Sequence, residues 1–426
     1  MGKASLQNWE GTIAVIGADF GDSGKGRLID DLANRAHIVA RYAGGANTGH
    51  TVVNQYGKFA FHIIPSGIFN PKTTCLVGRG VVVSCESLQV ELGALKKAGV
   101  TYRNLIIDEN ASLTMPWHIM RDGLRETLRK SKIGTTNSGV GPTYADRIER
   151  VGLRIKDLIS SDFKEKFFTE IDIQNKFFKL KLNPKDIFKK YQGFAKLIKP
   201  YVGQTIAIAK KAQRENKNIL FEGAQGFFLD IDAGTYPFVT SSNPGVLGIW
   251  RSFVIHPSEI NAVIGITKSY ITRVGEGPLP TQIDGRIKNY LIERGREFGT
   301  TTGRVRRPGW LDLVLIKAAR DDNKLTTLAL TKLDVLSGLS EIKICTSYKK
   351  LNRSVEYQSG DADYLVDCQP IYETLQGWRE DISDIRNFQN LPINAQKFVK
   401  KIEDYLKIPI NFISVGPERG QVIWRK

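Results

Sequence analysis

Four short segments hold the residue types from which phosphate chemistry is built. The first, Gly17-Ala-Asp-Phe-Gly21-Asp22-Ser23-Gly24-Lys25-Gly26, lies between an apolar run and a helical pattern. Its glycines let backbone N–H groups close on a phosphate at a helix N-terminus, and Lys25 adds a point charge. It is not a Walker A loop, which needs glycine at 19 and a hydroxyl residue at 26, where this chain has Asp19 and Gly26. A glycine-rich turn with a purely structural role is the alternative. Asp22, an anion inside the loop, would repel a phosphate unless it binds Mg²⁺ or serves as a base.

The second segment, Arg41-Tyr-Ala-Gly-Gly-Ala-Asn47-Thr48-Gly49-His50-Thr51, is a glycine-rich turn after another apolar run. His50 is either structural or a general acid, and its setting makes it the acid candidate among five histidines. The third, Thr300-Thr301-Thr302-Gly303-Arg304-Val305-Arg306-Arg307, reads as a solvated basic loop or as a clamp for carboxylate and phosphate, since arginine forks match these anions bidentately. In the fourth, Thr331-Lys332-Leu333-Asp334, an aspartate at a strand end can accept two hydrogen bonds from guanine, which adenine cannot supply. A phosphate loop paired with a distant guanine clamp points to GTP.

These segments need a scaffold that brings them together. Short apolar runs recur at Ile13 to Ile16, His37 to Ala40, Cys75 to Val83, Leu105 to Ile107, Ile219 to Phe221, Ala262 to Ile266, Thr327 to Leu330 and Phe412 to Val415. Their continuity suggests strands buried on both faces. Amphipathic patterns lie between them, as in Leu28, Ile29, Leu32, Ala33 and Ala36, and again in Trp310, Leu311, Val314, Leu315 and Ala318. The spacing predicts an α/β fold with a large, mostly parallel central sheet flanked by helices, with ligands beyond the carboxyl ends of its strands.

The chain has 426 residues, enough to bury a large core, and no apolar run long enough to cross a membrane or to read as a signal peptide. A cytoplasmic protein is expected, with no membrane partner. Four dispersed cysteines without a CxxC pair suggest reduced, buried thiols. The net charge of +17 favours anionic partners but does not choose among nucleotides, nucleic acid and membrane. The Lys- and Phe-rich stretch 155–215 is read as a core face beside a solvated face, and no nucleic-acid partner is assigned to it.

Taken in order, GDSGKG, RYAGGANTGHT, HIIPSGI, KIGTT, GVGPTYADR, FEGAQG, DIDAGTYPFVTSSN, TTGRVRRPGWLDL, TKLDVLSGL, PIYETLQGW and SVGPERG resemble the segments of the adenylosuccinate synthetase family over nearly the whole chain. The resemblance implies a single domain over 1–426 on a P-loop-like ligase fold, with small β insertions, a helical insertion at roughly 120–215 and a closing loop at 300–307. It also implies a GTP-dependent ligation of L-aspartate to inosine monophosphate (IMP) through a 6-phosphoryl intermediate, the step that commits IMP to AMP.

The family's pattern further implies residue roles. Asp22 corresponds to the catalytic base and His50 to the acid, with Asp22 and the Gly49 carbonyl as Mg²⁺ ligands. Gly21, Asp22, Ser23, Gly24, Lys25, Gly26, Gly49, His50, Thr51, Arg306, Lys332, Leu333, Asp334, Ser414, Val415 and Gly416 correspond to the GTP site. Asp22, Lys25, Asn47, Thr48, Gly49, His50, Thr136, Gln225, Thr240 and Arg304 correspond to the IMP site, joined by Arg150 from the neighbouring subunit of a homodimer. Thr300, Thr301, Thr302, Gly303, Arg304, Val305 and Arg306 correspond to the aspartate loop.

Against that pattern, Ser23 replaces a usual glutamate, Ala233 a frequent histidine and Ser337 a common aspartate. Val305 interrupts an arginine run, and the stretch after Asn243 is short. Two other readings use the same segments: a relative with another purine nucleotide as acceptor, and a protein that only hydrolyses GTP. The second gives no role to His50, Gln225 or the 300–307 loop.

Overall fold

The computed structural model describes residues 6–299, 303–357 and 360–425. Each of the expected apolar runs contributes to one ten-stranded sheet. From edge to edge its strands are Val422–Trp424, Ile410–Ser414, Thr327–Thr331, Ala262–Lys268, Thr12–Gly17, Ile219–Glu222, Ile38–Arg41, Thr74–Val77, Leu105–Asp108 and Val202–Gly203. All neighbours are parallel except Val422–Trp424, which returns antiparallel to Ile410–Ser414. Alternate residues of Thr12–Gly17 serve opposite faces: Ala14 and Ile16 enter one core, Ile13 and Val15 the other. Burial on both faces is why the run is continuously apolar.

The structure corrects three details of the sequence reading. Cys75 to Val83 is not one strand. Thr74–Val77 stays in the main sheet, while Val82–Ser84 pairs with Ser112–Thr114 in a separate ladder. The chain turns between them at Gly80, where a Cβ would meet the Tyr42 carbonyl oxygen at 2.2 Å. Trp310 and Leu311 precede the helix Leu313–Asn323, and Ala36 lies beyond the end of Lys25–Ala33, although both Trp310 and Ala36 are buried. Strands Val202–Gly203 and Val422–Trp424 were not expected, being too short to show a period.

Helices Pro116–Leu128, Val140–Glu149, Phe163–Phe177, Pro184–Ile198 and Thr205–Arg214 fill much of the stretch from 116 to 214. Phe163, Phe167, Tyr191 and Phe194 face one core there, and Lys164 and Lys166 face solvent, so the Lys- and Phe-rich stretch is a packed face beside a solvated one. All four cysteines are buried and unbridged. Among the described residues no helix is long and apolar enough to cross a membrane.

Helix Leu313–Asn323 starts at a buried cap. The Asp312 carboxylate accepts the Val314 and Leu315 N–H groups at 3.2 Å each and the Tyr348 hydroxyl of the neighbouring strand Glu341–Lys350. Asp312→Ala would leave these donors unmet inside the core. The expected loss is about 2 to 3 kcal/mol of unfolding free energy. Thermal or urea unfolding measures it, and an unchanged midpoint would contradict this role for the cap.

Candidate active site

The strands that finish at Gly17, Arg41, Glu222, Lys268, Thr331 and Ser414 end at the same side of the sheet, and the loops after the first five surround a cleft of about 1100 Å³, which Ser414, Val415 and Gly416 do not line. This is where parallel sheets bind ligands. Gly21, Asp22, Ser23, Gly24, Lys25, Gly26, Asn47, Thr48, Gly49, His50, Thr51, Thr136, Gln225, Thr240, Arg304, Arg306 and Lys332 all line it.

The phosphate-type loop is shaped from within by Asp19. This buried carboxylate accepts the Gly21 N–H at 2.8 Å, the Ser23 hydroxyl at 2.5 Å and the Thr267 hydroxyl at 3.1 Å. The departure at Ser23 therefore has a place: its side chain turns inward to Asp19. The adjoining loop after Glu222 interlocks with the first. A Cβ on Gly226 would sit 2.1 Å from the Asp19 carbonyl oxygen, an approach only glycine permits. Lys25 donates to the Gln225 carbonyl, and burial pulls its pKa down against the support of Asp19, Asp22 and Glu222. Asp22 takes a left-handed backbone with φ 55° and is about one-third exposed.

A buried charge cluster joins this loop to two others. Arg306 donates from Nε to Asp22 at 2.9 Å and from a terminal nitrogen to Glu297 at 2.9 Å. Glu297 is fully buried and also receives Lys332 at 2.6 Å, Lys268 at 3.2 Å and the Tyr270 hydroxyl. Burial alone would raise the Glu297 pKa, but Lys268, Lys332 and Arg306 hold it far below the ordinary 4.5. Lys268 is pushed down to about 8 by burial, with Glu297 opposing. The pair is ionised at neutral pH.

His50 lies against the other wall. Its Nδ1 is hydrogen-bonded to Glu222, and its buried Nε2 has no partner within the protein. Burial first, then the Arg41 charge, push its pKa down to about 4, and Glu222 pulls the other way. The ring is neutral at neutral pH. Glu222 stays ionised: burial opposes this, but its hydrogen bonds and Arg41 outweigh the cost.

Asn47, Thr48, Gln225 and Thr240 form one polar network. The Gln225 amide donates to Asn47 at 3.1 Å and to Thr48 at 2.7 Å, and Asn47 donates to Thr240 at 3.1 Å. Gln225 Oε1 is buried without a partner. Thr136 sits in a loop tied to helix Pro116–Leu128 by Asp122 and Glu126. Arg304 reaches that loop through the Gly134 carbonyl at 3.0 Å.

Further along, Leu333 and Asp334 form a turn behind Lys332, and the turn Ser414, Val415 and Gly416 is reached by Arg27 through the Gly416 carbonyl at 3.1 Å. Ser337 accepts the Trp378 indole N–H at 2.9 Å, and Ala233 accepts the Gly360 N–H at 3.2 Å. Gly303 and the half-exposed Val305 belong to the arginine loop, while Thr300, Thr301 and Thr302 lie outside the described residues. Arg150 does not line the cleft. It is exposed at the end of helix Val140–Glu149.

The sequence reading missed Glu222, Ser66, Glu297, Lys268 and the shaping role of Asp19. Glu222 carried a usable signal, as a charge directly after an apolar run and before a glycine. Glu297 carried none, since its surroundings are charged in sequence.

Among the described residues no group of three or more His, Cys, Asp or Glu side chains could hold a metal ion. The donors at hand, the Asp22 carboxylate and the Gly49 carbonyl beside a phosphate-type loop, suit Mg²⁺, which takes one or two carboxylates together with substrate phosphates and water.

The family model for adenylosuccinate synthetase matches residues 14–423. An adenylosuccinate synthetase of Halothermothrix orenii is 46% identical over 423 residues, covering 98% of this chain and 99% of that protein. Among solved structures, fully ligated adenylosuccinate synthetase from Plasmodium falciparum aligns with a TM-score of 0.94 at 35% identity, over 98% of this chain and 100% of the other. The succinoaminodeoxyadenylate synthetase of cyanophage S-2L, bound to dGMP and dATP, aligns with a TM-score of 0.63 at 16% identity, over 97% of this chain and 95% of that one, and shares the fold.

The charge cluster makes a stability prediction. Glu297→Gln leaves Lys268, Lys332 and Arg306 without their shared counter-charge and should cost about 3 to 5 kcal/mol at neutral pH. Because the folded-state pKa lies below 4.5, this contribution is present above that pH and is lost as the pH falls below it. Urea unfolding at several pH values measures the difference. A gap that stays constant into acid would contradict the assignment.

Proposed function

We infer residue roles from one premise: this chain belongs to the adenylosuccinate synthetase family and is a GTP-dependent ligase that forms a carbon–nitrogen bond. The reaction joins L-aspartate to IMP with conversion of GTP to GDP and phosphate. A lactam oxygen is a poor leaving group, so it is first phosphorylated and then displaced by the amine of aspartate.

In our reading Asp22 takes the N1 proton of IMP, so that O6 can attack the γ-phosphate of GTP. The contact from Arg306 supports this, since a guanidinium at 2.9 Å fixes the direction of the carboxylate. His50 is the acid of this reading: once the imidazole is protonated, its Nε2–H faces the developing charge on that oxygen, with the Glu222 carboxylate at Nδ1 as counter-charge. Gly21 to Gly26 and Gly49 to Thr51 surround the GTP phosphates with backbone N–H groups and with the Lys25 cation. Lys332, Leu333, Asp334 and the Ser414–Gly416 turn hold guanine. When bound at Asp22 and the Gly49 carbonyl, Mg²⁺ would neutralise charge on the GTP phosphates.

Asn47, Thr48, Thr136, Gln225, Thr240 and Arg304 hold IMP. Gln225 Oε1, buried without a partner, leaves an acceptor free for a donor group of the bound nucleotide. The loop 300–306 closes on aspartate with Arg304 as the carboxylate fork. Its link to Gly134 supports a loop that responds to both the acceptor and aspartate. Arg150 would act in the site of a second copy. Its exposure supports this, as do the apolar side chains exposed on the two packed helices beside it: Met120, Leu124 and Leu128 on one, Ile148 on the other.

The single observation that carries this reading is the convergence of Asp22, His50, Gln225 and Arg304 on one cleft with the phosphate-type loop. Phosphate release from GTP should require IMP and aspartate together, with a matching change in purine absorbance. Release without aspartate would favour a GTP hydrolase, and release with guanosine monophosphate alone would favour another acceptor. Asp22→Ala should abolish turnover while IMP binding, read by calorimetry, stays within about tenfold. Near-normal turnover in that variant would remove Asp22 from its role.

A further inference from the structure

The segment His62-Ile-Ile-Pro-Ser66-Gly has no assigned chemistry, and neither does Glu222 in Phe221-Glu-Gly-Ala-Gln-Gly. The two meet behind His50. We propose that Glu222 and Ser66 are positioning residues that fix the His50 ring with hydrogen on Nδ1 and with Nε2 presented to the cleft. The proposal deepens the reading above and rests on it only for what Nε2 then does.

The geometry leaves Glu222 little freedom. Its side chain is fully buried at the carboxyl end of strand Ile219–Glu222. Oε2 accepts the Ser66 N–H at 2.8 Å, and Oε1 accepts the Ser66 hydroxyl at 2.7 Å together with the contact to His50 Nδ1. An ionised carboxylate only accepts hydrogen bonds, so Nδ1 must be the donor. With Nδ1 committed, Nε2 is the ring nitrogen left for substrate, and it is buried, unpartnered and on a residue that lines the cleft.

Ser66 is held just as firmly. The buried Glu91 accepts the N–H groups of His62 at 2.7 Å, Ile63 at 3.1 Å and Ile64 at 2.9 Å, which fixes the chain leading into Pro65. Gly67 follows because a Cβ there would meet the Val39 side chain at 2.6 Å. A carboxylate that orients a catalytic histidine through Nδ1 is a recurring device in nucleophilic enzymes, where it selects the tautomer and the ring direction.

A merely structural carboxylate would close the strand end and cap the Ser66 turn without affecting the ring. The two roles separate in Glu222→Gln. If the amide oxygen keeps the Ser66 N–H, the amide nitrogen faces Nδ1 and donates to it, which moves the ring hydrogen to Nε2.

The test is nitrogen NMR of imidazole-labelled, full-length protein without ligands at neutral pH, with the His50 signals assigned by their loss in His50→Asn. Wild type should show the Nδ1–H tautomer, and Glu222→Gln the Nε2–H tautomer. In the coupled phosphate-release assay, Glu222→Gln should lower kcat by about a hundredfold or more, with KM for GTP, IMP and aspartate within about threefold. If Glu222→Gln does not fold, Ser66→Ala serves as the second variant, and its kcat should fall by about tenfold at unchanged KM. A wild-type His50 carrying hydrogen on Nε2, or variants with unchanged kcat, would overturn the proposal. Failure of the ligase reading would leave the wild-type tautomer measurement intact, so the two failures are distinguishable.

Discussion

Glu297 sets the terms for much of the cleft. A carboxylate taken wholly out of water is costly unless neighbouring cations and hydrogen bonds replace the lost solvation. Here Lys268, Lys332, Arg306 and Tyr270 do so, from three separate segments of the chain. Lys268 ends a central strand, Lys332 leads into the turn Leu333–Leu336, and Arg306 belongs to the arginine loop and reaches Asp22. One buried anion therefore holds together loops far apart in sequence. It also offsets part of the positive charge of a site built for polyphosphate, nucleotide phosphate and carboxylate.

The same logic recurs at smaller scale. Asp19 shapes the phosphate-type loop from inside, Asp312 starts the helix Leu313–Asn323, and Glu91 fixes the chain that presents Ser66. In each case a buried carboxylate gathers backbone N–H donors, hydroxyls or both, which turns an irregular loop into a defined surface. Asp22 and His50 stand out against this background. Asp22 is partly exposed and held by one arginine, and His50 keeps one ring nitrogen unpaired. These two side chains keep capacity that the surrounding polar groups leave unused.

The central sheet was legible because strands buried on both faces must be continuously apolar, as in Ile13 to Ile16 and Ala262 to Ile266. The glycine-rich loops were legible because close backbone approaches, such as that of Gly226 to Asp19, admit no side chain. What stayed hidden is tertiary. Glu297 lies in a charged stretch that reads as surface, and only the folded chain brings Lys268 and Lys332 to it. The two short edge strands draw their order from a neighbouring strand rather than from their own pattern. Glu222 and Ser66 were visible as parts of motifs, but their joint action on His50 needs the fold.

The central claim is that the cleft makes the lactam oxygen of IMP leave as phosphate. The most direct test supplies IMP carrying heavy oxygen at that lactam position, with GTP, Mg²⁺ and aspartate, and weighs the inorganic phosphate by mass spectrometry. Phosphate that carries the label in step with product formation is the expected result. Unlabelled phosphate, with the label found in water, would contradict the account.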